Sequence, residues 1–416
     1  MRGTESKGSR MEKKMFKELN LGSQVEKAVL AAGYENPTPI QEQCIPPLLL
    51  GKDLIGCAQT GTGKTAAFAL PILTMLAKKP VRPEPRMPRV LVLTPTRELA
   101  AQVGESFKCY SRFMKTSHAL VFGGVRQGPQ VKALSRGVDV LVATPGRLLD
   151  LMNQRHVKLS SVEFFVLDEA DRMLDMGFMP DIKRIIATLP QKRQSLLFSA
   201  TMPSEIRTLA EKLLNDPVSV SVAPQAMTAD NIIEKVLFVE DGNKKDALKD
   251  ILDGPDVERA LVFTRTKRGA DKVAKNLGRK ANAIHGNKSQ SARIAALSEF
   301  RSGKCRVLVA TDIASRGIDV AGITHVINYD MPSEPESYVH RIGRTARAGA
   351  AGTAISLCGT GDRLSLRDIE TLIKRTVPVF TDHAYYSPEV EKSCAAKKMV
   401  FTSKRGRSGR ARSSRW

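Results

Sequence analysis

The sequence predicts an α/β protein of two domains, each a parallel β-sheet with helices on both faces. Its 416 residues exceed what one ordinary core fills. Short apolar, β-branched segments alternate with amphipathic helical stretches in both halves, a pattern typical of strands buried on both faces. The chain also resembles itself, since RVLVLTPTREL at 89–99 reads like RALVFTRTKRG at 259–269, an offset of about 170 residues. The repeat indicates two copies of one domain.

Composition predicts where these domains begin and end. A flexible N-terminus covers residues 1–14 and the first domain covers 15–218. Prolines and small polar residues with few apolar anchors predict a linker over 219–231. The second domain then spans 232–378. The last segment, 379–416, is basic and poor in core-forming residues, so it is expected to be a largely disordered tail.

Charge is the most informative bulk property of the chain. The formal net charge is +22, and a field of that sign attracts polyanions, so nucleic acid is the first candidate partner. No apolar run approaches the roughly 18 residues that span a bilayer, and the N-terminus lacks a secretory signal. A cytoplasmic protein without a membrane partner is expected. Six cysteines without a CxxC pair indicate neither a disulfide framework nor a zinc site.

The segment AQTGTGKT at 58–65 nearly matches the phosphate-binding pattern GxxxxGK[ST]. A short strand before it and a helix after it would aim backbone N–H groups and the positive helix end at phosphate. Lys64 is expected to reach the β and γ phosphates, and the Thr65 hydroxyl to bind Mg²⁺. Ala58 stands where the pattern has glycine, but glycine is needed there only if φ is positive or the backbone is crowded.

A second motif, FFVLDEAD at 164–171, places Asp168 and Glu169 at the carboxyl end of an apolar strand, where a parallel sheet binds its ligand. In phosphoryl transfer, Asp168 would hold Mg²⁺ while Glu169 orients or deprotonates the attacking water. Together with Lys64, these carboxylates predict an ATP-hydrolysing site with ATP and Mg²⁺ as cofactors.

The tetrapeptide Asp168-Glu169-Ala170-Asp171 is one of about ten motifs that follow in order between Phe16 and about Thr376. The sequence thereby resembles the DEAD-box RNA helicases, most closely the bacterial RhlE-type branch. In that family the phosphate loop commonly begins with alanine. The resemblance implies tandem RecA-like domains and an RNA-stimulated ATPase that locally unwinds RNA duplexes or remodels RNA–protein complexes.

The resemblance also implies residue roles. Gln41 is expected to read the adenine edge, Phe16 and Tyr34 to pack on the base, and Asp319 to contact the ribose. The segment Ser199–Thr201 resembles the hydroxyl bridge that ties Asp171 to the closed state of the family. The expected nucleotide-binding residues are Phe16, Tyr34, Gln41, Ala58, Gln59, Thr60, Gly61, Thr62, Gly63, Lys64, Thr65 and Asp319. The residues expected to couple the domains are Asp171, Ser199, Thr201 and His340.

The second half lacks a phosphate loop of its own, so its arginine cluster is expected to serve the ATP bound by the first half. Arg344 and Arg347 are three residues apart and would lie on one face of a helical turn. Two guanidiniums there would stabilise the negative charge of the transition state. Ala346 stands where many family members have glycine, and no functional loss is expected from it.

Small or basic residues at strand ends suit close approach to a sugar-phosphate backbone. Such contacts carry no base information, so sequence-independent binding of single-stranded and duplex RNA is expected. The expected RNA-binding residues are Arg97, Gly124, Thr144, Arg147, Arg293 and Thr311.

Two other functions fit parts of the pattern. A DNA-directed helicase of the same superfamily would show equal stimulation by DNA, and a non-catalytic RNA clamp would have lost Lys64, Glu169 or the arginines. Ribosomal particles and RNA-decay complexes are the expected larger partners. The tail from Lys392 to Trp416 carries nine Lys and Arg and no acid, which predicts non-specific RNA anchoring rather than mere solubilisation.

Overall fold

The computed structural model describes residues 15–58, 61–222, 232–312, 320, 322–346 and 351–393. The chain divides into two compact units, Met1–Gln225 and Ala226–Trp416. Within the described residues, each unit contains one sheet in which every strand pair is parallel. This arrangement confirms the predicted α/β class. No helix in these ranges is long and apolar enough to cross a membrane.

The first unit contains a seven-stranded sheet with the order β3-β4-β2-β5-β6-β1-β7 in the described chain. Its strands are β1 (Leu54–Cys57), β2 (Val90–Leu93), β3 (His118–Val121), β4 (Val140–Ala143), β5 (Phe164–Leu167), β6 (Gln194–Ser199) and β7 (Val218–Ser221). Its helices are α1 (Ser23–Ala31), α2 (Pro39–Leu49), α3 (Lys64–Lys78), α4 (Arg97–Tyr110), α5 (Gly128–Ser135), α6 (Pro145–Asn153), α7 (Ala170–Asp175), α8 (Met179–Ile186) and α9 (Ser204–Leu213). A 3₁₀ turn, Phe16–Leu19, precedes them.

Strand β2 shows why an apolar run forms the centre of this sheet. Val90 and Val92 pack into one hydrophobic cluster, and Leu91 and Leu93 pack into the cluster on the opposite face. Successive side chains of a strand point to opposite faces, so a strand covered by helices on both sides must be apolar at every position. The same burial pattern holds for β4, β5 and β6.

The second unit contains a six-stranded sheet with the order β10-β11-β9-β12-β13-β8 in the described residues. Its strands are β8 (Ile232–Phe238), β9 (Ala260–Phe263), β10 (Ala281–Ile284), β11 (Val307–Ala310), β12 (His325–Asn328) and β13 (Gly352–Cys358). Its helices are α10 (Lys244–Leu252), α11 (Lys267–Leu277), α12 (Gln290–Arg301), α13 (Pro335–Ile342), α14 (Arg363–Ile373) and α15 (Pro388–Lys392). Short 3₁₀ turns cover Gly278–Lys280 and Thr360–Asp362.

The predicted linker is wrong at its start, because 219–221 belong to β7. This strand pairs with β1 along its whole length. Its sequence VSVS alternates apolar and polar residues, and Val220 is buried while its serines are exposed. Such alternation is typical of a half-buried edge strand, and prolines nearby obscured it. The rest of the predicted linker, 223–231, lies outside the described residues.

The predicted tail also begins too early, because 379–393 pack on the second unit. The backbone N–H of Phe380 donates to the Val236 carbonyl at 2.9 Å, and the N–H of Ser387 donates to the Phe238 carbonyl at 3.0 Å. The side chains of Phe380, Tyr385 and Tyr386 pack against the hydrophobic clusters of the unit. These aromatic residues bury enough apolar surface to fix the segment. Residues 394–416, the remainder of the predicted tail, lie outside the described ranges.

Candidate nucleotide and RNA sites

The strand order of the first sheet brings three motif loops to one edge. Strands β5, β6 and β1 are neighbours, and Cys57 pairs with Ser199 while Leu167 pairs with Leu197. Because the strands are parallel, their carboxyl ends meet at the same edge, where α/β sheets bind ligands. The phosphate loop therefore begins beside Ser199, and Asp168 follows the adjacent strand.

The phosphate loop is held by hydrogen bonds from α2 and from its own lysine. The Thr38 hydroxyl donates to the Thr62 carbonyl at 2.8 Å, and Gln41 Nε2 donates to the Gly63 carbonyl at 3.1 Å. The buried Lys64 Nζ donates to the Ala58 carbonyl at 2.8 Å. A lysine held across the loop is suited to exchange that carbonyl for a phosphate oxygen.

Glycine is required at one end of this loop and not at the other. Gly63 is the N-cap of α3 with a φ of 93°, and a Cβ there would lie 2.4 Å from Gln41 Nε2. Gly61 also has a positive φ, of 86°. Ala58 is buried and has a negative φ, so its position needs no glycine. Gln59 and Thr60, which the sequence also assigned to nucleotide binding, lie outside the described residues.

Gln41 contacts the loop and its own helix. Its amide oxygen accepts from the Thr38 N–H at 2.9 Å while its amide nitrogen donates to Gly63. Each group keeps one further hydrogen-bonding capacity, and the adenine contact stays a prediction. Phe16 and Tyr34 stack with centroids 6.3 Å apart, and Phe16 lines a cavity of about 410 Å³ with Asn36. Neither Tyr34 nor Gln41 lines this cavity, so the base contacts of Phe16 and Tyr34 also stay predictions.

The two leading carboxylates of the acidic motif are buried. Asp168 is 2% exposed and Glu169 is 4% exposed. Asp168 Oδ1 has no hydrogen-bond partner in the part of the chain that the structure describes. Burial raises the pKa of Asp168 to about 7, an effect that Lys64 opposes and Glu169 reinforces. A buried carboxylate oxygen without a donor is well suited to bind a cation.

The donor set near Asp168 fits Mg²⁺ bound together with a nucleotide. Among the described residues, no group of three or more His, Cys, Asp or Glu side chains could hold a metal ion by itself. Magnesium commonly keeps waters and binds through one or two carboxylates plus substrate phosphates. Asp168 and the half-buried Thr65 would therefore hold the ion only jointly with phosphate oxygens.

Glu169 lies in a strained backbone conformation next to an arginine that sequence reasoning missed. It is the N-cap of α7 with a φ of 55°, a left-handed value that costs a non-glycine residue about 1–2 kcal/mol. Its Oε2 accepts from Arg172 Nη1 at 2.7 Å. Opposite charges three residues apart at a predicted helix start were the available signal.

Asp171 is bonded to the end of β6 inside the first unit. Its Oδ2 accepts from the N–H of Ala200 at 3.1 Å, and from the N–H and hydroxyl of Thr201 at 2.9 and 3.1 Å. Its own N–H donates to the Ser199 hydroxyl at 3.2 Å. The hydroxyl bridge that the sequence predicts thus exists within this unit, and its role in coupling the domains stays a prediction.

The other half of the same sheet edge carries the predicted RNA-binding residues of this unit. Strands β3, β4 and β2 are neighbours, and Gly124, Thr144 and Arg97 follow their carboxyl ends. Both Arg147 Nη atoms donate to the Val125 carbonyl, at 3.3 and 3.4 Å. The loops that carry Arg97 and Arg147, 50 positions apart in the chain, therefore follow neighbouring strands at the same edge of the sheet.

In the second unit the structure describes one of the two predicted arginines, Arg344. Helix α13 ends at Ile342, and Arg344 lies in the turn after it, 4% exposed. Ala346, the last described residue before a gap in the described ranges, has a left-handed φ of 54°. The shared helix face predicted for Arg344 and Arg347 stays a prediction. Arg347 and Asp319 lie outside the described residues.

Arg341, which the sequence did not single out, fastens this turn to the sheet. Its Nε and Nη2 donate to the two carboxylate oxygens of Asp312 at 2.5 and 2.7 Å, and its Nη1 donates to the Asn328 amide oxygen at 3.0 Å. Such a bidentate contact fixes guanidinium orientation. No local pattern indicates this contact, since Asp312 and Arg341 are 29 residues apart.

The remaining predicted residues of this unit are at three places. Thr311 follows β11 and is 8% exposed, Arg293 lies half-buried on α12, and His340 is exposed on α13. Thr311 and Arg293 stay predicted RNA contacts, and His340 stays a predicted coupling residue.

Comparisons with known proteins identify the family. A DEAD/DEAH box helicase model matches residues 38–209, and a helicase conserved C-terminal domain model matches 243–349. The DEAD-box ATP-dependent RNA helicase CshA of Bacillus subtilis (strain 168) is 45% identical over 363 residues, which cover 86% of this chain and 72% of that protein.

Two solved structures share the fold. Dbp5 of S. cerevisiae bound to RNA and ADP BeF3 is 30% identical with a TM-score of 0.78, covering 92% of this chain and 99% of that chain. A DEAD box protein from the hyperthermophile Methanococcus jannaschii is 39% identical with a TM-score of 0.52, covering 88% and 99%. The likeness confirms the prediction of two tandem RecA-like domains, and the chain belongs to the DEAD-box ATP-dependent RNA helicases.

Proposed function

We propose that this protein hydrolyses ATP in response to RNA, and that it uses the cycle to separate short RNA duplexes or remodel RNA–protein complexes. One observation carries the proposal. At the carboxyl edge of the first sheet, β5-β6-β1 carry the nucleotide motifs and β3-β4-β2 carry the RNA motifs. Six adjacent strands of one rigid sheet thus present both candidate sites. The RNA and ADP BeF3 bound to the related Dbp5 support the same pair of ligands.

The nucleotide would bind through residues that the structure brings to one loop and one strand end. Lys64 exchanges the Ala58 carbonyl for phosphate, and the N–H groups at the start of α3 face the same oxygens. Thr65 and Asp168 would hold Mg²⁺, which when bound supplies positive charge to the transferring phosphoryl group. Phe16, Tyr34 and Gln41 are the proposed base contacts, and Asp319 the proposed ribose contact.

Glu169 is the proposed residue that orients the attacking water. Arg344 and Arg347 of the second unit are proposed to contact the γ-phosphate in the active state, where guanidiniums stabilise the spreading charge. A nucleotide and an RNA that each bind both units would favour this state over others. Hydrolysis would then depend on RNA, and Asp171, Ser199, Thr201 and His340 are the proposed coupling residues.

Lys64→Ala and Glu169→Gln test these roles by RNA-stimulated ATP hydrolysis. Both variants are expected to lose at least about 100-fold in rate, because each removes a group that acts on the transferring phosphoryl or on the water. Glu163→Gln is the matched control, since Glu163 precedes the amino end of β5 while Glu169 follows its carboxyl end. Wild-type rates in either variant would contradict the assignment.

ATP hydrolysis measured with RNA and DNA strands of the same sequence tests which nucleic acid stimulates the enzyme. RNA alone is expected to stimulate hydrolysis, since contacts to 2′-hydroxyls distinguish the two polymers. Equal stimulation by DNA would favour a DNA-directed helicase, and RNA binding without hydrolysis would favour a clamp. An RhlE-type branch, ribosomal or RNA-decay partners and a bacterial cytoplasmic location are finer proposals, for which a bacterial relative such as CshA gives only general support.

A further inference from the structure

A buried ion pair joins Glu169 to Arg172 in the first turn of α7. Arg172 Nη1 lies 2.7 Å from Glu169 Oε2, and the side chains of Arg172 and Glu169 are only 7% and 5% exposed. Charged groups buried to this degree are held in place by their partners, because neither can return to water without moving the backbone. The pair therefore restricts where the Glu169 carboxylate can point.

The two carboxylate oxygens of Glu169 are in different situations. Oε2 accepts from Arg172. The structure shows no hydrogen bond to Oε1 from the described part of the chain, and the Glu169 side chain is 5% exposed. One oxygen is anchored and the other can accept a hydrogen bond from a water molecule. A carboxylate that orients a nucleophilic water needs one oxygen held in place and the other available to the water.

Neither Lys64 nor the Asp171 carboxylate competes for this contact. Lys64 Nζ donates to the Ala58 carbonyl rather than to Glu169. The Asp171 carboxylate is occupied by the N–H groups of Arg172, Ala200 and Thr201. The backbone N–H of Arg172 is thus bonded to Asp171, and its side chain is bonded to Glu169. The two contacts together fix the position from which the guanidinium extends.

The backbone at Glu169 makes an anchor necessary. Its φ of 55° is left-handed, and residues in such conformations persist only where surrounding contacts fix them. Arg172, one helical turn later, closes this first turn by a side-chain contact to the strained residue. Without the contact, the carboxylate could rotate away from the edge of the sheet.

We propose that Arg172 is a positioning residue for ATP hydrolysis. It anchors Glu169 Oε2, so that Oε1 is presented to the attacking water. The inference rests on the proposed function in one respect, the role of Glu169. In this proposal Arg172 itself contacts neither the nucleotide nor the attacking water, and it acts only through Glu169.

The first test is the kinetics of Arg172→Gln at saturating RNA. We expect kcat to fall by about 100-fold, the effect of a misplacement of about 1 Å, while KM for ATP changes less than about twofold because the phosphate loop is untouched. Arg172→Lys keeps one charged donor, and one donor is enough to restore the single contact with Glu169 Oε2. Its kcat should therefore be at least about tenfold higher than that of Arg172→Gln. A lysine variant as slow as the glutamine variant would overturn the proposal.

A double-variant cycle separates positioning from other roles. In a Glu169→Gln background, Arg172→Gln should leave the residual rate unchanged, since a residue that acts only through Glu169 has nothing left to position. A further drop in that background would show that Arg172 acts elsewhere. A rise of RNA-free hydrolysis in Arg172→Gln would show instead that the pair restrains Glu169, and would equally overturn the proposal.

The control for lost stability is Arg89→Gln. Arg89 Nε lies 2.7 Å from Glu163 Oε1 in the same unit, and the arginine side chain is 6% exposed. Its loss should lower the unfolding temperature and leave kcat within about twofold. If Arg89→Gln reduces kcat as much as Arg172→Gln does, the effect is general and the proposal fails. Wild-type hydrolysis in Glu169→Gln alone would refute the role of Glu169 and not the geometry of the pair.

Discussion

The guanidinium of Arg97 occupies the space that a side chain at residue 124 would need. A Cβ built on Gly124 would lie 1.8 Å from Arg97 Nη1, and Gly124 has a φ of 77°. Glycine is thus required here by a neighbouring arginine as well as by the backbone. The structure shows that the absence of a side chain here makes room for Arg97, and the predicted approach of an RNA backbone to this glycine stays a prediction.

Gly124→Ala should therefore weaken RNA binding by displacing Arg97. We expect RNA affinity to fall about tenfold, from a lost charged contact of about 1–2 kcal/mol and from the strained φ. Fluorescence anisotropy with a labelled single strand measures the change. Gly123→Ala is the control, because its Cβ would lie 3.5 Å from Arg97 Nη2, an ordinary contact. Equal losses in both variants would contradict the explanation.

Ala346→Gly should stabilise the second unit. The left-handed φ of 54° costs alanine about 1–2 kcal/mol, and the greater unfolded-state entropy of glycine returns about 0.5–1 kcal/mol. The free energy of unfolding should therefore rise by about 0.5–1 kcal/mol, measured by urea denaturation. Ala295→Gly, in the exposed middle of α12, should lower it by about the same amount. A destabilised Ala346→Gly variant would refute the strain.

Gly63→Ala should weaken ATP binding. The new Cβ would lie 2.4 Å from Gln41 Nε2, which is bonded to the Gly63 carbonyl, and φ is 93°. Either the loop or the Gln41 amide must move, which would break the hydrogen bond to the Gly63 carbonyl. Together with the strained φ, this predicts at least about tenfold weaker binding by titration calorimetry. Gly51→Ala, where φ is 78° and no atom lies within 4 Å of the Cβ, adds strain without a clash and should leave ATP affinity unchanged. An unchanged ATP affinity in Gly63→Ala would contradict the requirement for glycine at this position.

Removal of residues 394–416 should weaken RNA binding and flatten its dependence on salt. These residues carry eight Lys and Arg and no acid, and each neutralised phosphate contributes a slope of about −0.7 on single strands. A cut before 394 retains α15 and the packed segment 379–393. A cut before 379 should also lower the unfolding temperature, because Phe380, Tyr385 and Val390 pack on the unit. An unchanged dependence of RNA affinity on salt would contradict RNA anchoring and would indicate that the tail only increases solubility.

The sequence by itself determined the features that are local. Buried strands such as β2 and β5 appear as apolar runs because both of their faces are covered. The phosphate loop appears as a glycine turn because a positive φ and the start of α3 are properties of adjacent residues. Asp168 and Glu169 could be assigned for the same reason, since a strand end and the acids after it are contiguous.

The sequence also contained weak signals that prolines and charge obscured. The alternation in β7 and the aromatic residues after Pro378 both indicate burial, yet each lies in a segment that also reads as a linker or a tail. Propensity over four residues cannot outweigh such context. Whether a short segment is ordered depends on whether a partner strand is available beside it.

Only the tertiary structure decided which distant groups meet. The contact of Arg97 with Gly124 depends on β3 and β2 lying on either side of β4, and the bond from Arg341 to Asp312 depends on how α13 packs on the sheet. The anchored and open oxygens of Glu169 depend on a left-handed backbone that no residue type encodes. Strand order and backbone strain arise from the packing of the whole unit, so no local pattern in the chain specifies them.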